Sequence, residues 1–125
     1  MKTWKLKSYD IPYIIEASEI LKGNPCQHIT NTALALEVGI NAIKLQMGFK
    51  RLFKQTIHQY TIDLRLELAR EFLEGTDLTI SEVSYKAGFN SREVFTRCFQ
   101  RKYGRSPREW RKKEEATLIE LAVIK

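Results

Sequence analysis

At 125 residues the chain has room for about one domain and not for two independent cores. A hydrophobic share of 43% and a charged share of 29% exclude a chain that is disordered throughout, and two cysteines exclude a disulfide framework. The net charge of +6 favours an anionic partner. No segment has the charged start and apolar run of a signal peptide or the length of a membrane span, so a reducing, cytoplasmic setting and no membrane partner are expected.

Strand-like alternation is nowhere sustained, whereas helical apolar spacing recurs, so the expected fold is all-α. Asp10 is placed to cap a first helix with Pro12 in its first turn, and Ile11, Ile14, Ile15 and Leu21 form its apolar stripe up to about Lys22. Thr30 caps a short helix from Asn31 to Val38, which Gly39 stops. Asn41 caps a third helix to about Phe53, with Leu45, Phe49 and Phe53 at i, i+4, i+8 facing inward. Thr56 and Gln59 form a capping box opening a long helix, on which Tyr60, Leu64, Leu68 and Phe72 line one side until Gly75. Thr79 and Glu82 open a fifth helix to Ala87, and Gly88-Phe89-Asn90 makes a tight turn. A sixth helix places Phe95, Phe99 and Tyr103 inward and ends at Gly104, and Ser106-Pro107-Arg108-Glu109 opens a last helix through Trp110. Seven helices are predicted.

Two stretches repeat one plan: short helix, glycine turn, polar cap, then a helix with aromatic inward positions and a basic outer face. Gly39-Ile40-Asn41 matches Gly88-Phe89-Asn90 and, after a one-residue difference, Leu45, Phe49 and Phe53 match Phe95, Phe99 and Tyr103. This is the helix-turn-helix plan, whose second helix fits the major groove of B-DNA. Charge follows the same plan. Residues 41–54 carry four basic side chains and no acid, residues 91–113 carry nine against Glu93 and Glu109, and the remainder of the chain is net negative. The expected organisation is a single DNA-binding domain over 1–125, with a first unit at 10–55, a linker helix at 56–75, a second unit at 76–113 and a tail at 114–125. Two units joined by one helix would place their reading helices about one DNA turn, roughly 34 Å, apart.

From about Asp10 to Lys112 the chain resembles the AraC/XylS transcriptional regulators. The resemblance is carried by Ile80-Ser81-Glu82-Val83, Ala87-Gly88-Phe89-Asn90-Ser91, Phe95, Arg97, Phe99, Tyr103-Gly104, Ser106-Pro107 and Arg111, and on the long helix by Tyr60, Arg65, Ala69 and Leu73. The stretch Asn41 to Phe53 is similar to the subgroup that controls siderophore-uptake genes. Four features depart from the family pattern. Lys54 and Gln55 stand where a glycine turn is usual, Trp110 replaces a tyrosine, and Glu93 puts an acid on the expected DNA face. Many members also carry an effector-binding domain ahead of this region, so the chain is either a stand-alone regulator or a piece of a longer one.

The resemblance implies base contacts from Ile43, Gln46 and Met47 on the first reading helix and from Arg92, Glu93, Val94 and Arg97 on the second. Chemistry agrees in part: Gln46 can bond an adenine edge twice, an arginine can bond guanine O6 and N7, and Ile43 and Met47 can touch only thymine methyls or groove walls. The alternatives are that Ile43 and Met47 pack against the protein, that Arg97 contacts a phosphate or pairs with Glu93, and that Glu93 merely caps its helix three residues after Asn90. Lys44, Lys50, Arg51, Thr96, Arg101 and Lys102 are expected at phosphates.

His28 and His58 read as surface histidines, Cys26 as a loop thiol and Cys98 as a small packing residue, so no metal, cofactor or catalytic residue is expected. The expected partners are double-stranded DNA, RNA polymerase and a preceding effector domain, in the bacterial cytoplasm at the nucleoid. Two other functions compete: a methylated-DNA repair or sensor module, for which no four-cysteine cluster is present, and an interaction module that has lost DNA binding, for which the reading face is too basic. The tail holds Leu118, Ile119, Leu121, Val123 and Ile124, which either extends the last helix onto the core or meets a partner.

Overall fold

A computed structural model describes residues 5–124. Among them lie seven α-helices and no strand: α1 (Ile11–Gly23), α2 (Asn31–Val38), α3 (Ala42–Phe53), α4 (Ile57–Gly75), α5 (Ile80–Lys86), α6 (Arg92–Tyr103) and α7 (Pro107–Ile124). The chain divides into two compact units within α4, between Leu64 and Arg65.

In the first unit the short elements are held by the side chains that the sequence offers as caps. Thr30 Oγ1 accepts from the Ala33 N–H at 3.0 Å, and Asn41 Oδ1 accepts from Ile43 and Lys44 at 2.8 and 3.2 Å, which satisfies donors left open at a helix start. Thr56 and Gln59 bond reciprocally at 2.9 and 3.1 Å. Ile14, Leu21, Leu34, Leu45 and Phe49 close the core. Gly48 faces Ile14 and Leu6 closely: a Cβ at that position would lie 2.2 Å from Ile14 Cδ1 and 2.8 Å from Leu6 Cδ1, so those side-chain ends would have to shift. The C-cap of α3 is Lys54, left-handed at φ 61°, the conformation the missing glycine foretells and a strain of about 1 kcal/mol.

Two expectations for α1 are corrected. Asp10 does not cap α1 through its side chain; it ends a 3-10 turn at Ser8–Asp10, is buried, and accepts from the Lys7 N–H at 2.8 Å. Ile15 is 41% exposed, and the buried stripe is Ile14, Ala17, Ser18 and Leu21.

In the second unit Thr79 and Glu82 bond reciprocally at 3.2 and 3.1 Å, and the Thr79 backbone and then its hydroxyl hold the Glu82 carboxyl below the usual carboxylate range. Ser106 and Glu109 repeat the arrangement at 3.3 and 3.2 Å. The cap of α6 is Ser91, not Asn90: its Oγ accepts from the Val94 N–H at 3.3 Å. Arg111 gathers the C-terminal end of α4, donating to the carbonyls of Leu73 and Thr76 at 3.2 Å, to Phe72 at 3.5 Å and to Leu78. Beside it Trp110 Nε1 donates to Glu74, which also takes Arg70.

On α4 the expected face is partly wrong. Tyr60 is buried, but Leu64, Leu68 and Phe72 are half-buried, and the closed positions are Ile57, Thr61, Arg65, Leu66, Ala69 and Leu73. The tail continues α7 as helix, yet Leu118, Ile119, Leu121 and Val123 are 54–79% exposed, so it does not fold onto a core.

Candidate nucleic-acid interface

The cap positions fix the register of the repeat. With Asn41 capping α3 and Ser91 capping α6, equivalent residues lie 50 positions apart, and the extra residue sits in the second turn. The aromatic cores then superimpose in kind. Phe49, Phe53 and Tyr60 have ring centroids 4.6, 5.1 and 5.3 Å apart, while Phe99, Tyr103 and Trp110 have 4.6, 5.8 and 5.2 Å. The Phe49–Tyr60 and Phe99–Trp110 pairs are both edge-on at 83°. Trp110 therefore keeps the packing role of the tyrosine it replaces. With the inward face fixed this way in each unit, the opposite face of each second helix must point to solvent.

On α3 that face presents Ile43, Gln46, Met47 and Lys50. Ile43 is 49% and Met47 37% exposed, so each presents part of its side chain to solvent while the rest is covered by the protein. Gln46, Met47 and Lys50 border one shallow depression with Asn31 from α2 and with Thr56 and His58 from the start of α4. On α6 Arg92, Glu93, Thr96, Arg97 and Gln100 line another, and Val94 is 41% exposed. Thr96 is half-buried. Asn31 and Gln100 are not among the contacts expected from the sequence, and His58 is read there only as a surface histidine; the 50-residue register, which pairs Lys50 with Gln100, is the signal that finds Gln100.

Electrostatics sorts the charged candidates. Arg97 is exposed and pairs with no acid among the described residues, because Glu93 is taken by the Ser91 hydroxyl at 2.9 Å. Glu93 stands at the second position of α6 rather than the third, so it does not close a capping box. Its own backbone N–H, then Ser91, hold its carboxyl below the usual carboxylate range, leaving an anion that can only accept. Arg92 donates to Ser81 Oγ at 3.2 Å. Lys50, Arg51 and Arg101 are exposed. Lys44 and Lys102 are engaged within the protein: Lys44 Nζ is 3.4 Å from Asp10 and 5.7 Å from the Tyr9 ring centre, and Lys102 Nζ is 3.9 Å from Glu67 and 5.5 Å from the Tyr103 ring centre.

Among the described residues no group of three or more His, Cys, Asp and Glu is placed to hold a metal, and no helix is long and apolar enough to cross a membrane.

Residues 34–113 match the model of the helix-turn-helix domain family. The chain belongs to that family. Within it the chain is an AraC-type DNA-binding domain, with AraC/XylS regulators as its homologues. It is 31% identical over 105 residues to the xylose operon regulatory protein of Escherichia coli K12, covering 84% of this chain and 27% of that protein. The chain thus spans about a quarter of the length of the xylose-operon relatives it matches. An AraC-type transcriptional regulator from Chromobacterium violaceum superimposes with a TM-score of 0.77 at 25% identity, over 86% of this chain and 96% of that one. The DNA-binding domain of AdpA, solved on a target DNA, shares the fold with a TM-score of 0.78 at 23% identity, over 83% and 94% of the two chains.

Proposed function

We propose that this domain regulates transcription by binding a specific duplex site, with α3 and α6 each entering one of two successive major grooves. The observation that carries the reading is the duplicated face: in each unit an aromatic triad fixes the inward positions of the second helix and leaves polar, basic and methyl-bearing side chains on the other side. Ile43, Gln46, Met47, Arg92, Glu93, Val94 and Arg97 touch bases; Lys50, Arg51, Thr96 and Arg101 touch phosphate. Lys44 and Lys102 join them only by leaving Asp10 and Glu67. RNA polymerase and a preceding effector domain complete the partner set, the latter supported by the greater length of the relatives. No catalytic step is needed for this function. The siderophore-uptake reading of its target genes rests on residues 41–53 alone.

Selection of bound sequences from a random duplex pool, followed by footprinting at monomer concentrations, tests the proposal. One protein molecule is expected to protect roughly 17 to 20 base pairs. Protection of one groove only, or an unenriched pool, would sink it.

The two halves are expected to read DNA unequally. A bidentate arginine discriminates by about 1 to 3 kcal/mol, whereas an apolar contact tolerates neighbouring bases. Arg97→Ala should relax preference at one or two base pairs, and Met47→Ala should weaken binding with preference retained. A scan of single-base operator variants decides the matter: uniform loss for Arg97→Ala would reassign Arg97 to phosphate.

A further inference from the structure

Beside α3 the structure brings together groups that the sequence leaves far apart. The depression that exposes Gln46, Met47 and Lys50 is closed on its far side by Thr56, Ile57 and His58 at the start of α4, and by Asn31 of α2. The Thr56 and Gln59 capping box uses the Gln59 N–H, and the Tyr60 N–H bonds the Thr56 carbonyl. The N–H groups of Ile57 and His58, first and second in the helix, have no partner within it. Lys50 is the charged side chain among the lining residues from α2, α3 and α4, and no carboxylate is among them. The lining therefore holds one permanent cation and no anion, and it adjoins the exposed face of α3.

The internal repeat gives an independent indication. By the register that pairs Asn41 with Ser91 and Tyr60 with Trp110, His58 corresponds to Arg108, and both are exposed in the first turn of a helix that follows a reading helix. The second unit has a permanent cation where the first has an imidazole. Imidazole is the side chain that ordinarily changes charge between pH 5 and 8.

We infer that His58 contacts a DNA backbone phosphate flanking α3, and that its protonation makes binding by the first unit stronger in mildly acidic conditions. The inference rests on the reading of α3 as a groove-entering helix. Binding to phosphate favours the protonated imidazole, so by linkage affinity rises as pH falls, and the added cation displaces one more counterion.

The test measures binding of the parent chain, His58→Gln and His58→Arg to a mixed-sequence duplex of about 30 base pairs, longer than a two-turn site, across a salt series. It is done at about pH 6 and about pH 8, either side of the ordinary imidazole range. The parent should bind roughly three- to tenfold tighter at the lower pH, with a salt slope steeper by about 0.9. His58→Gln should bind weakly at both pH values, and His58→Arg tightly at both. A parent affinity that does not change with pH, or a change that His58→Gln keeps in full, overturns the inference and leaves the DNA-binding reading standing. Absence of duplex binding by the parent at either pH overturns both.

Discussion

Raising salt from about 50 to about 200 mM should weaken duplex binding by about a thousandfold. Within the two basic stretches, the exposed cations not assigned to bases include Lys50, Arg51, Lys54, Arg101, Arg108, Lys112 and Lys113. If about six cations meet phosphate, the slope of log K against log salt is about −5, and a fourfold rise in salt multiplies through that slope. Lys44 and Lys102 are left out of this count because each already lies beside an acid, Asp10 at 3.4 Å and Glu67 at 3.9 Å, and would exchange one anionic partner for another. Equilibrium titration of a labelled duplex at four or more salt concentrations gives the slope. A value between 0 and about −2 would mean that these side chains do not track the backbone, and the assignment of the two basic faces would be wrong.

Arg111→Ala should cost about 2 to 4 kcal/mol of stability, more than any surface charge in this chain has reason to contribute. One planar guanidinium serves the carbonyls of Phe72 and Leu73 in the last turn of α4 and of Thr76 and Leu78 beyond it; Phe72 also accepts from the Thr76 N–H and hydroxyl, whereas the Leu73 carbonyl is one of those a helix end leaves without an intrahelical donor. Arg111→Lys should recover little, since a single ammonium cannot fork across several carbonyls. Denaturant unfolding of the second unit should show a lowered midpoint with the slope unchanged. A loss below about 0.5 kcal/mol would show that water satisfies those carbonyls as well as the arginine does.

The parts of the fold legible in the sequence are those with local chemistry. Thr30, Asn41, Thr56, Thr79 and Ser106 all cap where their spacing to the next donors requires, and the aromatic residues at i, i+4, i+8 on α3 and α6 turn inward as the helical period demands. Reading fails where a partner is distant or is backbone. Asp10 looks like a cap for α1, but a 3-10 turn ahead of it redirects the carboxylate to Lys7 and Lys44. The buried positions of α4 shift from Ile57, Tyr60 and Thr61 to Arg65, Leu66, Ala69 and Leu73, so no single stripe describes a helix shared by two units. The carbonyl cluster at Arg111 has no side-chain signature at all. Of the candidate site, the exposed faces of α3 and α6 were legible from periodicity; the commitment of Lys44 and Lys102 to acids, and the place of His58 beside Lys50, depend on tertiary approach.

The matched triads Phe49-Phe53-Tyr60 and Phe99-Tyr103-Trp110 separate what folds each unit from what it recognises. Because the same inward positions anchor both helices, Ile43, Gln46, Met47 and Lys50 can be exchanged as a block for Glu93, Thr96, Arg97 and Gln100 without altering a buried contact of the triads. On the proposed reading, one half of a DNA site can then be retargeted by substitutions confined to four positions outside the aromatic triad while the other half is read as before. New regulatory wiring in such a scaffold is reached by recombination of surfaces, with the hydrophobic interior acting as a constant socket.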